Sequence, residues 1–171
     1  MLSRTCSILS LLLCLCLQPA RTSFAPHAVT SCPDDWTAFQ GSCYYFHHTE
    51  QSFTEAQHAC LQLESNLIHI DSEEENLFIK NFLRYQTPVK YWWMGLSDDD
   101  IEGLWKWVGS GDRPTYTDWY PGEPNNAKNE DCAIFDGVNN RNFMWVDYGC
   151  GFLCYSICEI RSETSGSIVV G

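Results

Sequence analysis

Basic residues are scarce beside acidic ones in this 171-residue chain: 10 Lys and Arg stand against 22 Asp and Glu, a net charge of −12. Holding a phosphate backbone needs a basic surface, so nucleic acid is excluded as a natural partner. Catalytic signatures are missing as well. No Gly-x-Ser-x-Gly elbow and no His-Glu-x-x-His helix occur, and Gly109-Ser110-Gly111 is too short for a phosphate loop. The five histidines, His27, His47, His48, His58 and His69, lack a zinc spacing. A binding protein is expected, not an enzyme. With no Asn-x-Ser/Thr sequon, no N-linked glycan is expected. Repeats, collagen-like tracts and heptads are also absent, so a homo-oligomer must be built from the domain surface or through a cysteine.

Long apolar runs are confined to the start. Arg4 and the apolar run Cys6 to Leu17 read as a secretory signal, shorter than the roughly 20 residues that span a bilayer. Cleavage after Ala20 makes residues 1–20 the signal, with Ala25 as the alternative end. No later stretch approaches that length, and the tail 161–171 is too short for a lipid-anchor signal. The mature protein is therefore expected to be secreted and extracellular, without membrane insertion. What remains is one domain of ordinary size.

Seven of the ten cysteines lie beyond the signal, and in an oxidising compartment most of them should pair. Six cysteines allow 15 connectivities, and spacing alone does not choose among them.

Along the chain, Trp36–Phe46 reads as a β-hairpin punctuated by Gly41. Ala56, Ala59, Cys60 and Leu63 recur at helical spacing within Thr54–Leu63. Asn66–Ile70 alternates as a short strand. Ser72 with Glu75 is a capping signature that opens a second helix, running through Leu77, Phe78, Phe82 and Leu83 and ending before Pro88. Further strands are expected at Tyr91–Leu96, Leu104–Val108, Ala133–Phe135, Phe143–Val146 and Phe152–Glu159. Residues 110–129 are too broken by Pro, Gly and Asn for regular structure. A loop of that length is usually functional, and Tyr116, Trp119 and Tyr120 argue that it is ordered. Most of the seven tryptophans, among them Trp93, Trp105 and Trp107, belong in the core, while Trp119 and Tyr120 are candidates to touch a ligand.

The stretch Glu123-Pro-Asn-Asn-Ala-Lys-Asn-Glu-Asp-Cys132 carries the chemistry. Glu123, Asn125, Glu130 and Asp131 are hard oxygen donors on one Pro- and Asn-rich loop, a set that suits Ca²⁺. Without His or paired thiolates among them, it does not suit a transition metal.

This loop, the cysteine spacing, the Trp93-Met94-Gly95-Leu96 strand, the Trp145-x-Asp147 element and the terminal Cys158-Glu159 together resemble the C-type lectin domain, over about Cys32 to Glu159. The resemblance implies an α+β fold of two helices, two small antiparallel sheets and a long calcium-binding loop, with the domain spanning 32–160. It implies the disulfides Cys32–Cys43, Cys60–Cys158 and Cys132–Cys150. Cys154 is left over: sharing strand parity with Cys158, it is either a buried free thiol or an interchain disulfide. Carried over position by position, a principal Ca²⁺ would be held by Glu123, Asn125, Glu130 and Asp147, which would also hold the sugar, with the Glu123–Pro124 bond cis. An auxiliary Ca²⁺ would be held by Asp98, Glu102, Asn126 and Asp131. The order Glu then Asn resembles binders of mannose-type glycans, plausible in innate recognition of microbial surfaces; galactose binders tend to carry Gln-Pro-Asp. Val146 is the departure. It stands where the family has Asn, removing one ion ligand and one amide donor. A protein-interaction or structural domain that has lost sugar binding is therefore the competing expectation.

Overall fold

The computed structural model describes residues 32–127 and 129–161. The signal segment and the tail beyond Arg161 lie outside the described residues. Among those described, no helix is long and apolar enough to cross a membrane.

In chain order the elements are β1 (Thr37–Phe39), β2 (Ser42–Gln51), α1 (Phe53–Gln62), β3 (Asn66–Leu67), α2 (Glu73–Leu83), β4 (Tyr91–Ser97), β5 (Lys106–Trp107), β6 (Cys132–Asp136), β7 (Met144–Tyr148) and β8 (Cys154–Arg161). The strands run β1-β2-β8-β4-β6-β7, with β3 on β8 and β5 on β4. Both antiparallel groups expected from the sequence are present. A short parallel pairing, Trp92 with Tyr155 and Trp93 with Ser156, joins them into one mixed sheet.

β4 explains why the sheet has a covered centre. Trp92, Met94 and Leu96 pack with Ile79 and Leu83 of α2 in one core cluster. Trp93, on the opposite face, packs with Phe53, Ala56 and Cys60 of α1 in the other. Burial on both faces is what turns the strand's sequence into a continuous apolar run. Gly95 is required inside it, because a Cβ there would sit 2.8 Å from the Leu67 carbonyl oxygen. On the α2 side, Phe82 stacks on Phe46 and Phe78 on Phe39, with centroids 3.8 and 4.2 Å apart. Such ring contacts add to the area the rings bury.

Both helices start on a serine. Ser72 Oγ accepts the Glu75 N–H at 3.2 Å, and the Glu75 carboxylate accepts the Tyr44 hydroxyl at 2.6 Å and the Asp71 N–H at 2.8 Å. Ser52 opens α1 by donating: the Glu55 carboxylate accepts its N–H and its hydroxyl at 2.9 and 2.7 Å, a cap the helical spacing alone did not point to.

Two strands are shorter than their patterns suggest. The 66–70 segment pairs with β8 only at Asn66 and Leu67, and the 104–108 segment with β4 only at Lys106 and Trp107. The last strand starts at Cys154, after a turn closed by the Phe152 N–H on the Gly149 carbonyl at 3.0 Å. Three disulfides link Cys32 to Cys43, Cys60 to Cys158 and Cys132 to Cys150. Cys154 carries a free buried thiol beside Cys158 and Phe53, and burial pushes it up to about 12.

Candidate functional site

The long segment after β5 is ordered by the core beneath it. Asp118 Oδ2 takes the Lys80 ammonium at 2.6 Å and the Asn76 amide at 2.8 Å, tying the loop to α2. The same Asn76 accepts the Trp145 indole N–H at 3.0 Å. Backbone bonds then lace the loop to β7: the Trp145 N–H to the Asp118 carbonyl at 2.9 Å, and the Tyr120 N–H to the Trp145 carbonyl at 2.8 Å. Trp119 turns inward, edge-on to Trp145 with centroids 5.8 Å apart. It serves packing, and neither it nor Tyr120 lines the site cavity, although the Tyr120 ring lies under Arg141, which does.

Glu123, Asn125, Glu130 and Asp147 line one cavity of about 230 Å³, which Val146 and Ile134 also line. The Glu123–Pro124 bond is cis. The Asn125 amide donates to one oxygen of Glu123, and Arg141 Nη1 donates to the other at 2.9 Å. Asp147 is buried on β7, and its Oδ2 accepts the backbone N–H groups of Asn125 at 2.8 Å and Asn126 at 2.6 Å. Its Oδ1 is buried with no protein donor among the described residues.

The four residues assigned to a second site surround the far side of this loop. Asn126 donates its amide to Glu102 and accepts the Glu130 N–H at 3.1 Å. Asp131 accepts the Asn129 amide at 2.6 Å. Asp98 is buried: Oδ2 takes the Gly103 N–H at 2.7 Å, and Oδ1 has no protein donor among the described residues.

The charges of the two sets are felt mutually. Burial raises the Glu123 carboxyl, the adjacent Asp147 raises it further, and Arg141 pulls it back. Burial also raises Asp98, opposed by the Gly103 N–H and reinforced by Asp131 and Asp147. Desolvation raises Glu102, with Asp98 and Asp131 adding to it.

Among the described residues, no three His, Cys, Asp or Glu side chains converge closely enough to form a metal cage as they stand. The site is nevertheless short of positive charge. Two buried carboxylate oxygens lack donors, and a buried acceptor left unpaired costs about 1–3 kcal/mol. An all-oxygen donor set with orphaned anionic oxygens fits a hard divalent cation. A larger cavity of about 490 Å³ lies between α1 and the segment after β4, but none of these eight residues lines it.

Val146 is buried and pairs across the ladder with Ile134, so an apolar side chain packs where an amide was expected. Sequence reasoning missed Arg141. Its guanidinium lies 4.6 Å over the Tyr120 ring and its Nε 3.6 Å from Asp136, and a lone Arg in an acidic stretch was the one available signal.

Residues 49–160 match the family model described as the lectin C-type domain. C-type lectin domain family 4 member M of Pan troglodytes is 42% identical over 132 residues, 75% of this chain but 28% of that relative's length. Among solved structures, the cow carbohydrate-recognition domain of CD23, determined in the presence of a GlcNAc2Man3 oligosaccharide, superposes with a TM-score of 0.69. It is 33% identical, covering 78% of this chain and 98% of its own. A calcium-independent type II antifreeze protein also superposes, with a TM-score of 0.69, 27% identity, and 79% and 98% of the two chains covered. Fold, disulfides and sequence agree, and the chain belongs to the C-type lectin domain family.

Proposed function

We propose that this domain is a secreted, non-enzymatic lectin that binds mannose-type glycans through Ca²⁺. The observation that carries the reading is Asp147: a buried carboxylate fastened by two backbone N–H groups of the Asn125 turn, with its second oxygen unpaired inside the cavity that Glu123, Asn125 and Glu130 line. That oxygen needs a positive partner, and the surrounding donors are the kind calcium prefers. When bound, the ion would supply coordination positions for two neighbouring sugar hydroxyls. The side chains supply the rest. Glu123 and Glu130 carboxylate oxygens have lone pairs to accept hydroxyl protons. The Asn125 amide, now turned toward Glu123, has N–H groups to give to a hydroxyl oxygen. Relatives named as C-type lectins and a solved carbohydrate-recognition domain support the sugar class, and Glu before Asn in the loop supports mannose over galactose. The auxiliary set, Asp98, Glu102, Asn126 and Asp131, would hold a second ion that stiffens the loop. Binding at microbial surfaces is the biological setting this chemistry suits.

Retention on immobilised mannose in calcium, released by a chelator, tests the reading. Passage through the resin in both conditions refutes it.

A second reading has its own observation. Val146 is packed against Ile134 as an apolar residue, and one structural relative is described as calcium-independent. In that case the domain is a C-type lectin-like interaction module, and neither calcium nor mannose changes its behaviour.

A further inference from the structure

The cavity holds a feature that the ion-and-hydroxyl scheme does not use. Arg141 follows the turn after β6 and reaches back to the cavity wall, where its guanidinium is held on three sides. Nη1 donates to Glu123 at 2.9 Å, the group lies 4.6 Å over the Tyr120 ring, and Nε faces Asp136 at 3.6 Å. Asp136 is itself fixed, its Oδ1 taking the Val138 and Asn139 N–H groups at 2.9 and 3.1 Å. The side chain is 27% exposed, so it is positioned yet open to the cavity. Nη2 has no protein acceptor among the described residues, which leaves N–H donors of a planar fork unspent.

Val146, which lines the same cavity, offers no donor. Neutral hydroxyls thus find one hydrogen-bonding group fewer than an amide at that position would give. Meanwhile Arg141, lining the same cavity, presents the group best shaped for an oxyanion. The surroundings are otherwise acidic, with Glu123, Glu130, Asp136 and Asp147 all lining the cavity, and would repel an anion if Arg141 were absent.

We propose that Arg141 is the specificity-determining residue of this site, and that the preferred ligands are anionic sugars carrying a sulfate or carboxylate beside the ion-bound hydroxyls. The proposal rests on the calcium-dependent sugar reading above. Discrimination arises from a difference: the fork attracts the oxyanion, while the carboxylates around it penalise any anion that does not reach the fork.

The test compares matched neoglycoconjugates of mannose, sulfated mannose and glucuronic acid on a biosensor, in calcium, with the full chain. The wild type should favour at least one anionic conjugate over mannose by about tenfold, the worth of one charge-assisted hydrogen bond. Preference for the sulfate or the carboxylate alone names the oxyanion and supports the proposal. In Arg141→Gln the ratio of anionic to neutral affinity should fall to one or below, because the acidic wall is then unopposed. Arg141→Lys should fall between, keeping the charge and losing the fork. A wild-type ratio of one or less overturns the proposal, as does an unchanged ratio in Arg141→Gln. Should Arg141→Gln not fold, the wild-type and Arg141→Lys ratios decide. If no conjugate binds the wild type in calcium, the sugar reading itself has failed. Mannose binding without an anionic preference refutes only the role of Arg141.

Discussion

One oxygen of Asp147 receives the backbone N–H of Asn125 at 2.8 Å, so a buried carboxylate on β7 fixes the loop turn that follows the cis-proline. The two residues are 22 positions apart in sequence, and their bond makes the cavity and the loop one mechanical unit.

Calcium should therefore stabilise the native state by mass action, about 2.7 kcal/mol at a hundredfold excess over the dissociation constant. Differential scanning calorimetry in calcium and in chelator at pH 7 measures this, and superimposed traces contradict it. Asp147→Ala should lower stability in chelator by about 2 kcal/mol, because the Asn125 and Asn126 N–H groups lose their acceptor, and should abolish the calcium shift.

Val146→Asn should strengthen calcium and mannose binding several-fold, near the worth of one hydrogen bond of about 1 kcal/mol. The position already lines the cavity beside Asp147, so a carbonyl oxygen and an NH₂ would be added without reshaping the loop. Some packing against Ile134 is lost, so the metal-free variant should melt lower than the parent. Isothermal titration with calcium and then mannose measures the gain; weaker binding in both steps removes Val146 from the ligand position.

The pH dependence centres elsewhere, on Glu159. Burial pushes its carboxyl up to about 7 against the pull of Arg161, which donates from Nε at 2.9 Å. The folded state then holds this proton more tightly than the unfolded chain. Between the ordinary glutamate value and about 7, its contribution to stability falls as pH rises and is recovered as pH drops. Glu159→Gln should remove that slope, making the variant more favourable relative to the parent at pH 8 than at pH 4.5, by about 3 kcal/mol. Urea unfolding of both proteins at the two pH values reads the difference, and parallel pH profiles contradict it.

Lys80→Met should cost about 3 kcal/mol, since it strips a buried cation from Asp118 and leaves that carboxylate with only the Asn76 amide. Chemical denaturation measures the loss. The double variant Lys80→Met with Asp118→Leu should recover part of it, because no buried charge then stands alone.

Much of the fold was legible because burial writes itself into residue type. The apolar run of β4 and the serine before α2 stand out locally, and each formed the element expected. β3 and β5 were read too long, because alternation marks which residues face the core, whereas strand length depends on how many rungs a neighbour supplies. At the site, the oxygen donors could be read from the motif since Glu123, Asn125 and Glu130 are close in the chain. Arg141 could not. Its role exists only because the turn after β6 brings it back across 18 positions to Glu123, and a single side chain carries no periodicity to reveal that. The Lys80–Asp118 pair was hidden for the same reason, since helix α2 offers Lys80 as an ordinary charged residue until the loop covers it.

The unequal tethering of the long loop sets two rates of opening. Its first half, around Asp118 and Tyr120, is bolted to α2 and β7 by a half-buried ion pair and backbone bonds. Beyond the turn that Asp147 fixes, Ala127 and Asn129 are held, among the described residues, only by exposed amide contacts, the Ala127 N–H on the Asn125 side-chain oxygen and the Asn129 amide on Asp131. Deuterium uptake should divide accordingly: the Tyr120 and Trp145 amides exchange only with global unfolding, while the Ala127 amide exchanges through small local excursions. Recognition would then take place at a seam, where a backing that keeps one shape meets a rim held only at the surface.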